Sequence, residues 1–198
     1  KIEMEILRND EVIGYNNYFF ERDGETTTVK NQYKFEVKLL SATIFKVEGY
    51  GEEIYLNDRL ISFQSKTLQN KKEKFVSLKL DNSNKKFNIK GSSYSGEASL
   101  KNIIGNWWSH KILQAESQIS PISGSIKEQL VTFIGKENVA INGKEFETDH
   151  FKLTSKNMSL PGDKRLNFDI WLDKKTSVIV KVTYERMGNW EYRLKNIE

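Results

Sequence analysis

The sequence predicts an all-β fold: a strongly curved antiparallel sheet or open β-barrel of about twelve strands with one short helical insert. The first observation is residues 28–39, where apolar side chains such as Tyr33 and Val37 alternate with polar ones. This period of two gives a strand one dry face. The second observation is a succession of shorter alternating segments separated by turn residues. The third is Asn142-Gly143 between two such segments, the strongest short-range signal of a hairpin.

The first part of the chain, residues 1–91, predicts a meander of about seven antiparallel strands. Gly49 and Gly51 interrupt the fourth of them. Glycines inside a strand often mark a bulge or a sharp bend, so we expect the sheet to curl there. The predicted strands cover residues 2–6, 12–21, 28–39, 43–55, 59–67, 73–80 and 85–90.

The alternation stops in residues 92–126, which predict a loop followed by a short helical insert. The beginning of this stretch is rich in glycine and serine, as flexible loops are. Apolar residues from Leu100 to Trp107 then recur at helical spacing. A short helix or an irregular plug is therefore expected within residues 98–113.

Strand patterns resume in residues 127–198 and predict about five further strands. The clearest alternations are residues 166–172 and 178–184, in each of which every second residue is apolar. Two β halves joined by one insert are expected to form a single domain covering residues 1–198.

The charge pattern argues against nucleic acid as a partner. Charged residues make up 29% of the 198 residues and the net charge is +4. Lysines and glutamates are interspersed along the strands, which is typical of a solvated surface and not of a basic binding stripe. No run approaches the length of a transmembrane helix, while peripheral contact with a membrane stays open.

The complete absence of cysteine indicates an oxidising compartment. It also excludes a disulfide framework, a thiol nucleophile and a thiolate metal site. The chain begins at Lys1 and not at methionine, as expected if a signal peptide or a tag has been removed. We therefore expect an exported or secreted protein whose signal peptide has been removed.

Several segments resemble a family of exported bacterial proteins known only as a domain of unknown function. The resemblance spans nearly the whole chain. Each matching segment alone is a weak motif, and the specificity comes from the order and spacing of the segments together. The resemblance implies an exported, periplasmic, all-β protein and implies no catalytic residue. Together with the absence of cysteine, it predicts a bacterial protein that is periplasmic or secreted. The matching segments include NDEVIGY at 9–15, EIYLNDRL at 53–60, SFQSKT at 62–67, HFKL at 150–153, FDIWLD at 168–173 and WEYRL at 190–194.

Motifs for metal binding, cofactor binding and catalysis are missing from the sequence. His110 and His150 stand in no zinc-ligand spacing, so no metal site is expected, and His150 is interpreted as a strand-surface residue. Glu52 and Glu53 are adjacent, so on a strand they point to opposite faces and cannot act as an acid–base pair. No nucleophile elbow and no glycine loop for phosphates occurs, and no cofactor is expected.

The aromatic cluster in the insert is the best candidate for a ligand-binding site. Trp107, Trp108 and His110 either line a pocket or cap one end of the barrel. On the predicted strand 166–172, Trp171 points to the face opposite that of the alternating apolar residues. It therefore faces either solvent or the second side of the sheet. Arg186, at the end of a predicted strand, either meets an anionic head group or is a surface charge.

Three classes of function remain open. The first is a periplasmic binding protein without catalysis, whose ligand is apolar or lipid-like, with Trp107 and Trp108 forming a gate over its cavity. The second is an envelope scaffolding or interaction protein without a small ligand. The third is a hydrolase or isomerase built in a β-barrel. An apolar cavity favours the first, an exposed apolar patch the second, and a cleft with a carboxylate of shifted pKa the third.

Overall fold

The computed structural model describes residues 1–198 and contains fifteen strands in one sheet. The only helical segments are two short 3-10 turns, His110–Leu113 and Gly162–Lys164. The strands are β1 (Ile2–Arg8), β2 (Glu11–Asp23), β3 (Thr26–Leu39), β4 (Ala42–Leu56), β5 (Arg59–Gln69), β6 (Lys72–Asp81), β7 (Lys86–Gly91), β8 (Ser95–Ser99), β9 (Ile103–Ile104), β10 (Ser117–Ile119), β11 (Ile126–Ile141), β12 (Lys144–Ser155), β13 (Asn167–Asp173), β14 (Ile179–Glu185) and β15 (Asn189–Ile197).

The sheet is one continuous spiral with the two chain termini paired at its centre. Strand β1 lies between β2 and β15, and the two arms run outward to edges at β8 and β9. Every neighbouring pair is antiparallel except β9 and β10. Ile104 and Ile119 from these two strands pack in one buried cluster with Phe63 and Leu78 of the opposite arm. The sheet therefore curls so that its β9 edge lies against the inner face of the opposite arm. This confirms the predicted curved all-β sheet.

The insert is less helical than its apolar spacing predicts. Of the expected helix within residues 98–113, only the turn His110–Leu113 is helical, and Ile103 and Ile104 form the short strand β9. Gly105 makes this path possible, since a Cβ there would lie 1.9 Å from Oε1 of Gln118 on β10. The chain has no helix with the length and apolarity needed to cross a bilayer.

The strand count exceeds the expected number because short strands occupy the region interpreted as loop and insert. Strands β8, β9 and β10 all lie within or next to residues 92–126. In residues 127–141 the alternation predicts two strands, 127–134 and 139–141, but the structure has one strand, β11, with a bulge between Phe133 and Gly135. A bulge breaks the alternation without ending the strand, which is why the pattern suggested two.

Gly49 allows a side chain to cross β4. The ring of Tyr33 on β3 lies over it, and its hydroxyl forms a hydrogen bond of 2.5 Å with Oγ1 of Thr67 on β5. A Cβ at Gly49 would lie 2.6 Å from the Tyr33 hydroxyl and 2.8 Å from the carbonyl oxygen of Lys66. The glycine expected to mark a bend is thus also a place of close side-chain approach.

Gly49→Ala is expected to lower the free energy of unfolding by about 1–3 kcal/mol, because the added methyl group overlaps packed atoms. Gly135→Ala is the matched control, since a Cβ at Gly135 meets nothing within 4 Å. Its effect should stay within about 0.5 kcal/mol. Urea unfolding of both variants measures the difference, and equal stability would mean that Tyr33 moves aside without cost.

The alternating strand directions place the turns at two ends of the spiral. The β1–β2, β3–β4, β5–β6, β12–β13 and β14–β15 connections meet at one end, named here the Leu40 end after the β3–β4 turn. The β2–β3, β4–β5, β11–β12 and β13–β14 turns lie at the opposite end, named the Asn57 end after the β4–β5 turn.

Candidate functional site

A cavity of about 250 Å³ lies inside the curl of the sheet. Strands β1 to β3 and β13 to β15 form its walls, and residues from the insert and the loop after β10 complete it. It reaches the surface near Arg186 in the β14–β15 turn, at the Leu40 end.

One wall of this cavity is aromatic. The Trp107 ring meets Phe168 edge-on at 5.1 Å between centroids, and Phe168 meets Tyr184 in the same way at 5.3 Å. Tyr192 lies 6.3 Å from Trp107 and completes the set. Burial raises the pKa of Tyr192 to about 12 and that of Tyr184 further, so both phenols are neutral at physiological pH.

The opposite wall is polar and held by a chain of side chains. Nδ2 of Asn31 donates to Oδ1 of Asn16 at 2.7 Å, and Nδ2 of Asn16 donates to the Tyr18 hydroxyl at 2.9 Å. The backbone N–H of Trp107 also donates to that hydroxyl, at 3.2 Å. Because the Tyr18 oxygen accepts both bonds, its own proton is free to donate to a molecule in the cavity.

Two cations flank the mouth of the cavity without a carboxylate partner. Lys127, at the start of β11, donates from Nζ to the carbonyl oxygen of Lys164 at 3.0 Å. Neither it nor Arg186 has a carboxylate oxygen within 4.0 Å. Burial lowers the pKa of Lys127 and the charge of Arg186 lowers it further, while the Asp163 carboxylate, beyond ion-pair distance, acts in the opposite direction. An anion placed between the two would relieve this repulsion.

Trp108 is fixed to the sheet by a buried carboxyl group. Glu53, on β4, is 3% exposed. Its Oε1 accepts hydrogen bonds from Nδ2 of Asn106 at 2.7 Å and from Nε1 of Trp108 at 3.0 Å, and its Oε2 accepts one from the Tyr55 hydroxyl. Burial raises the pKa of Glu53 from 4.5 to about 7, although the three donors act in the opposite direction. The carboxyl group thus anchors the insert across the interior.

Comparison with known proteins places the chain in a family. The family described as a domain of unknown function, DUF6134, matches residues 4–195. The chain belongs to this family. The crystal structure of a β-barrel-like protein of the DUF1849 family from Brucella abortus is similar, with a TM-score of 0.64 and 12% sequence identity over 98% of this chain and 94% of that chain. At that identity the likeness concerns the fold alone. No functionally curated protein shows detectable similarity.

The resemblance to a domain of unknown function is thereby confirmed, and export stays a prediction. Within this DUF6134 domain, two of the sequence-predicted site residues, Trp107 and Arg186, line the same cavity. Trp108 does not line it and instead packs edge-on against Phe20 at 5.4 Å and Tyr55 at 5.9 Å. The two adjacent tryptophans therefore have different surroundings.

The other two predicted site residues lie away from the cavity of the DUF6134 domain. His110 is exposed on its 3-10 turn. Trp171 stacks on His150 at 4.4 Å and donates from Nε1 to Glu137, with the Lys181 ammonium 4.8 Å above its ring. Direct ligand contact by these residues stays a prediction, and the cavity does not depend on it.

Several residues of the cavity and its anchor were not singled out by the sequence patterns. Tyr18, Asn31 and Lys127 look there like ordinary strand residues, and Glu53 stands out only as part of an acid–base pair with Glu52, which the strand geometry excludes. Only Asn31 could have been recognised from the sequence. It is a polar residue among the alternating apolar positions of β3, and this pattern places a polar group on the inner face of the sheet. Lys127 carried no such signal, since only the curl of the sheet brings it to Arg186.

Proposed function

We propose that this DUF6134 protein is a non-catalytic binding protein for a lipid-like small molecule with an anionic head group. The observation that carries the proposal is an aromatic cavity with two unpaired cations, Lys127 and Arg186, at its mouth. Ligand pockets combine an apolar wall with a few well-placed polar groups in this way. The apolar part of the ligand would lie against Trp107 and Phe168, and its head group between the two cations.

The electrostatics favour an anion over a neutral head group. Lys127 is partly buried and so loses part of its hydration, and the positive charge of the exposed Arg186 acts against it. A bound carboxylate or phosphate would supply the missing charge and accept hydrogen bonds from both side chains. The free proton of Tyr18 would lie deeper in the cavity, where it suits a hydroxyl or carbonyl group on the ligand.

The size of the cavity favours a single short chain. Pockets for drug-sized ligands usually measure about 300–1,000 Å³, and this cavity measures about 250 Å³. A lipid with two acyl chains would not fit without movement of the insert. A short fatty acid or a comparable amphiphile matches both the volume and the charge.

The lining favours binding over acid–base catalysis. No carboxylate and no histidine lines this cavity, and these are the groups that most often transfer protons in enzymes. The one carboxyl group with a strongly shifted pKa, on Glu53, is used to hold Asn106 and Trp108. A shifted pKa alone does not make a catalytic site, because structural networks shift pKa values as well.

Octanoate or decanoate is expected to bind saturably and to change the tryptophan emission through Trp107. Arg186→Gln and Lys127→Gln should each weaken binding about tenfold or more, because a hydrogen bond to a charged group contributes about 1.5–3 kcal/mol. Fluorescence titration of the delipidated protein measures both the binding and the loss.

Two controls separate the head group from the chain. Decanol has the apolar chain without the charge and should bind more weakly than decanoate to the wild-type protein. Lys90→Gln removes an exposed lysine on β7, away from the cavity, and should leave decanoate binding unchanged. Absence of saturable binding by any amphiphile would instead favour a scaffolding protein without a small ligand.

Export to a bacterial periplasm is a separate proposal, supported by the absence of cysteine and by the oxidising compartment that this absence suits. Fractionation of the source bacterium tests it: recovery of the protein in the cytoplasmic fraction would contradict it.

A further inference from the structure

The Leu40 end carries the most exposed apolar side chains of the molecule. Leu40 is 95% exposed and Met187 89%, and Leu39 and Met158 are each more than 60% exposed. These four residues lie in or beside the β3–β4, β12–β13 and β14–β15 connections, which all belong to this end. At the Asn57 end no large apolar side chain is more than half exposed, and Ile197, at 46%, is the highest. The apolar turns are therefore confined to one end of the spiral.

The β3–β4 turn places a leucine where turn chemistry disfavours it. Leu40 and Ser41 have φ values of 48° and 67°, both in the left-handed region. Turns of this kind prefer asparagine, aspartate or glycine at both positions. The chain follows that rule in its other hairpins of this geometry, at Asn9-Asp10, Asn57-Asp58 and Asn142-Gly143. A leucine that is both conformationally disfavoured and fully exposed points to a role outside folding.

Three lysines without a carboxylate partner belong to the same end of the spiral as this apolar turn. The β5–β6 turn lies at this end beside Lys46 of β4, because Asn70 exchanges two hydrogen bonds of 2.8 Å with the backbone of Lys46. That turn brings Lys71 and Lys72, and Lys38 comes directly before Leu39. None of these three lysines has a carboxylate oxygen within 4.0 Å.

We propose that the Leu40 end docks on an anionic lipid bilayer, with the β3–β4 and β14–β15 turns inserted among the head groups. Exposed leucine and methionine side chains supply apolar area, and lysines beside them contact anionic head groups; surface-bound proteins combine these two contributions. Arg186 precedes Met187 in the β14–β15 turn, so docking would bring the mouth of the cavity to the membrane surface. The docking does not rest on the proposed ligand, because the exposed turns alone support it.

The absence of cysteine allows a clean test. Leu40→Cys, labelled with an environment-sensitive fluorophore, should show a blue-shifted emission with vesicles of phosphatidylglycerol and phosphatidylethanolamine. Asp58→Cys, in the corresponding turn of the Asn57 end, is the matched control and should show no shift. Vesicles of phosphatidylcholine alone should shift the Leu40→Cys label less, and added salt should reduce binding to the anionic vesicles.

Co-sedimentation with the same vesicles tests the side chain itself. Leu40→Asn should weaken binding about tenfold or more, since it removes one buried leucine from the bilayer contact. The variant should fold at least as well as wild type, because asparagine suits the left-handed position. The Leu40 docking would be overturned if the label at position 40 gave no shift, or if Leu40→Asn bound vesicles like wild type. Concentration-dependent dimerisation that is lost in Leu40→Asn, without vesicle binding, would overturn it in favour of a second copy of the chain.

Discussion

Trp108→Ala is expected to lower the free energy of unfolding by about 3 kcal/mol, the lower end of the range seen when a large aromatic side chain is removed from a core, because the indole is half-buried. The indole packs edge-on against Phe20 and Tyr55 and donates a hydrogen bond to the buried Glu53. Its removal leaves an unfilled space and one donor fewer for a carboxyl group that water does not reach. Urea unfolding, followed by far-ultraviolet circular dichroism, measures the loss.

Trp107→Ala is the matched comparison, because it removes the same side chain from the next position. Its cost is expected to be smaller, since the vacated space joins a cavity that already reaches the surface. It should also change the uptake of decanoate, whereas Trp108→Phe should leave uptake nearly unchanged. Equal stability losses for Trp107→Ala and Trp108→Ala, with no change in uptake, would mean that both indoles only plug the interior.

Glu53→Gln is expected to be more stable than wild type at pH 8, by about 3 kcal/mol, and nearly equal to it at pH 4. The pKa of Glu53 is about 7 in the folded protein, against an ordinary value of 4.5. One unit of pKa difference corresponds to about 1.4 kcal/mol. Below pH 4.5 the carboxyl group is protonated in both states and costs nothing. As the pH rises through 7 the unfolded state has gained an ionised group that the folded state resists, so wild-type stability falls.

The amide preserves the contacts of the carboxyl group, so this comparison isolates the charge. Its oxygen can accept the bonds from Asn106 and Trp108, and its Nε2 can donate to the Tyr55 oxygen. Glu52→Gln changes the neighbouring residue on the opposite face of β4 and should leave the pH profile of stability unchanged. Urea unfolding at a series of pH values measures all three proteins. A constant difference between Glu53→Gln and wild type from pH 4 to pH 8 would mean that Glu53 is hydrated and ionised like a surface carboxylate.

Local sequence patterns predicted the architecture well where one face of a strand is dry. Val29 and Val37 of the predicted apolar parity are buried in β3, because burial of one face selects one parity, whereas Leu39 on the same parity is exposed at the Leu40 end. The parity of Glu52 and Glu53 was also predictable, and only Glu53 is buried. Turn residues such as Asn142-Gly143 marked the hairpins because left-handed backbone positions admit few residue types.

The insert was not predictable in the same way. Apolar residues from Leu100 to Trp107 satisfy helical spacing, yet Ile104 is buried in a short parallel strand. A spacing observed over fewer than three helical turns does not separate a helix from an irregular segment that is buried on several sides. Here the hydrogen-bond partner comes from β10, and that pairing exists only once the chain has folded.

The sequence by itself determined that this chain forms a curled antiparallel sheet, because alternation and turn chemistry act between near neighbours. The cavity was decided by the tertiary structure alone. Trp107, Lys127 and Arg186 share one cavity although long segments of chain separate them. Their meeting depends on the direction and extent of the curl, and these result from twist and packing summed over fifteen strands. The same curl brings Leu40 and Met187 to one end, so the proposed membrane contact also depends on the tertiary structure.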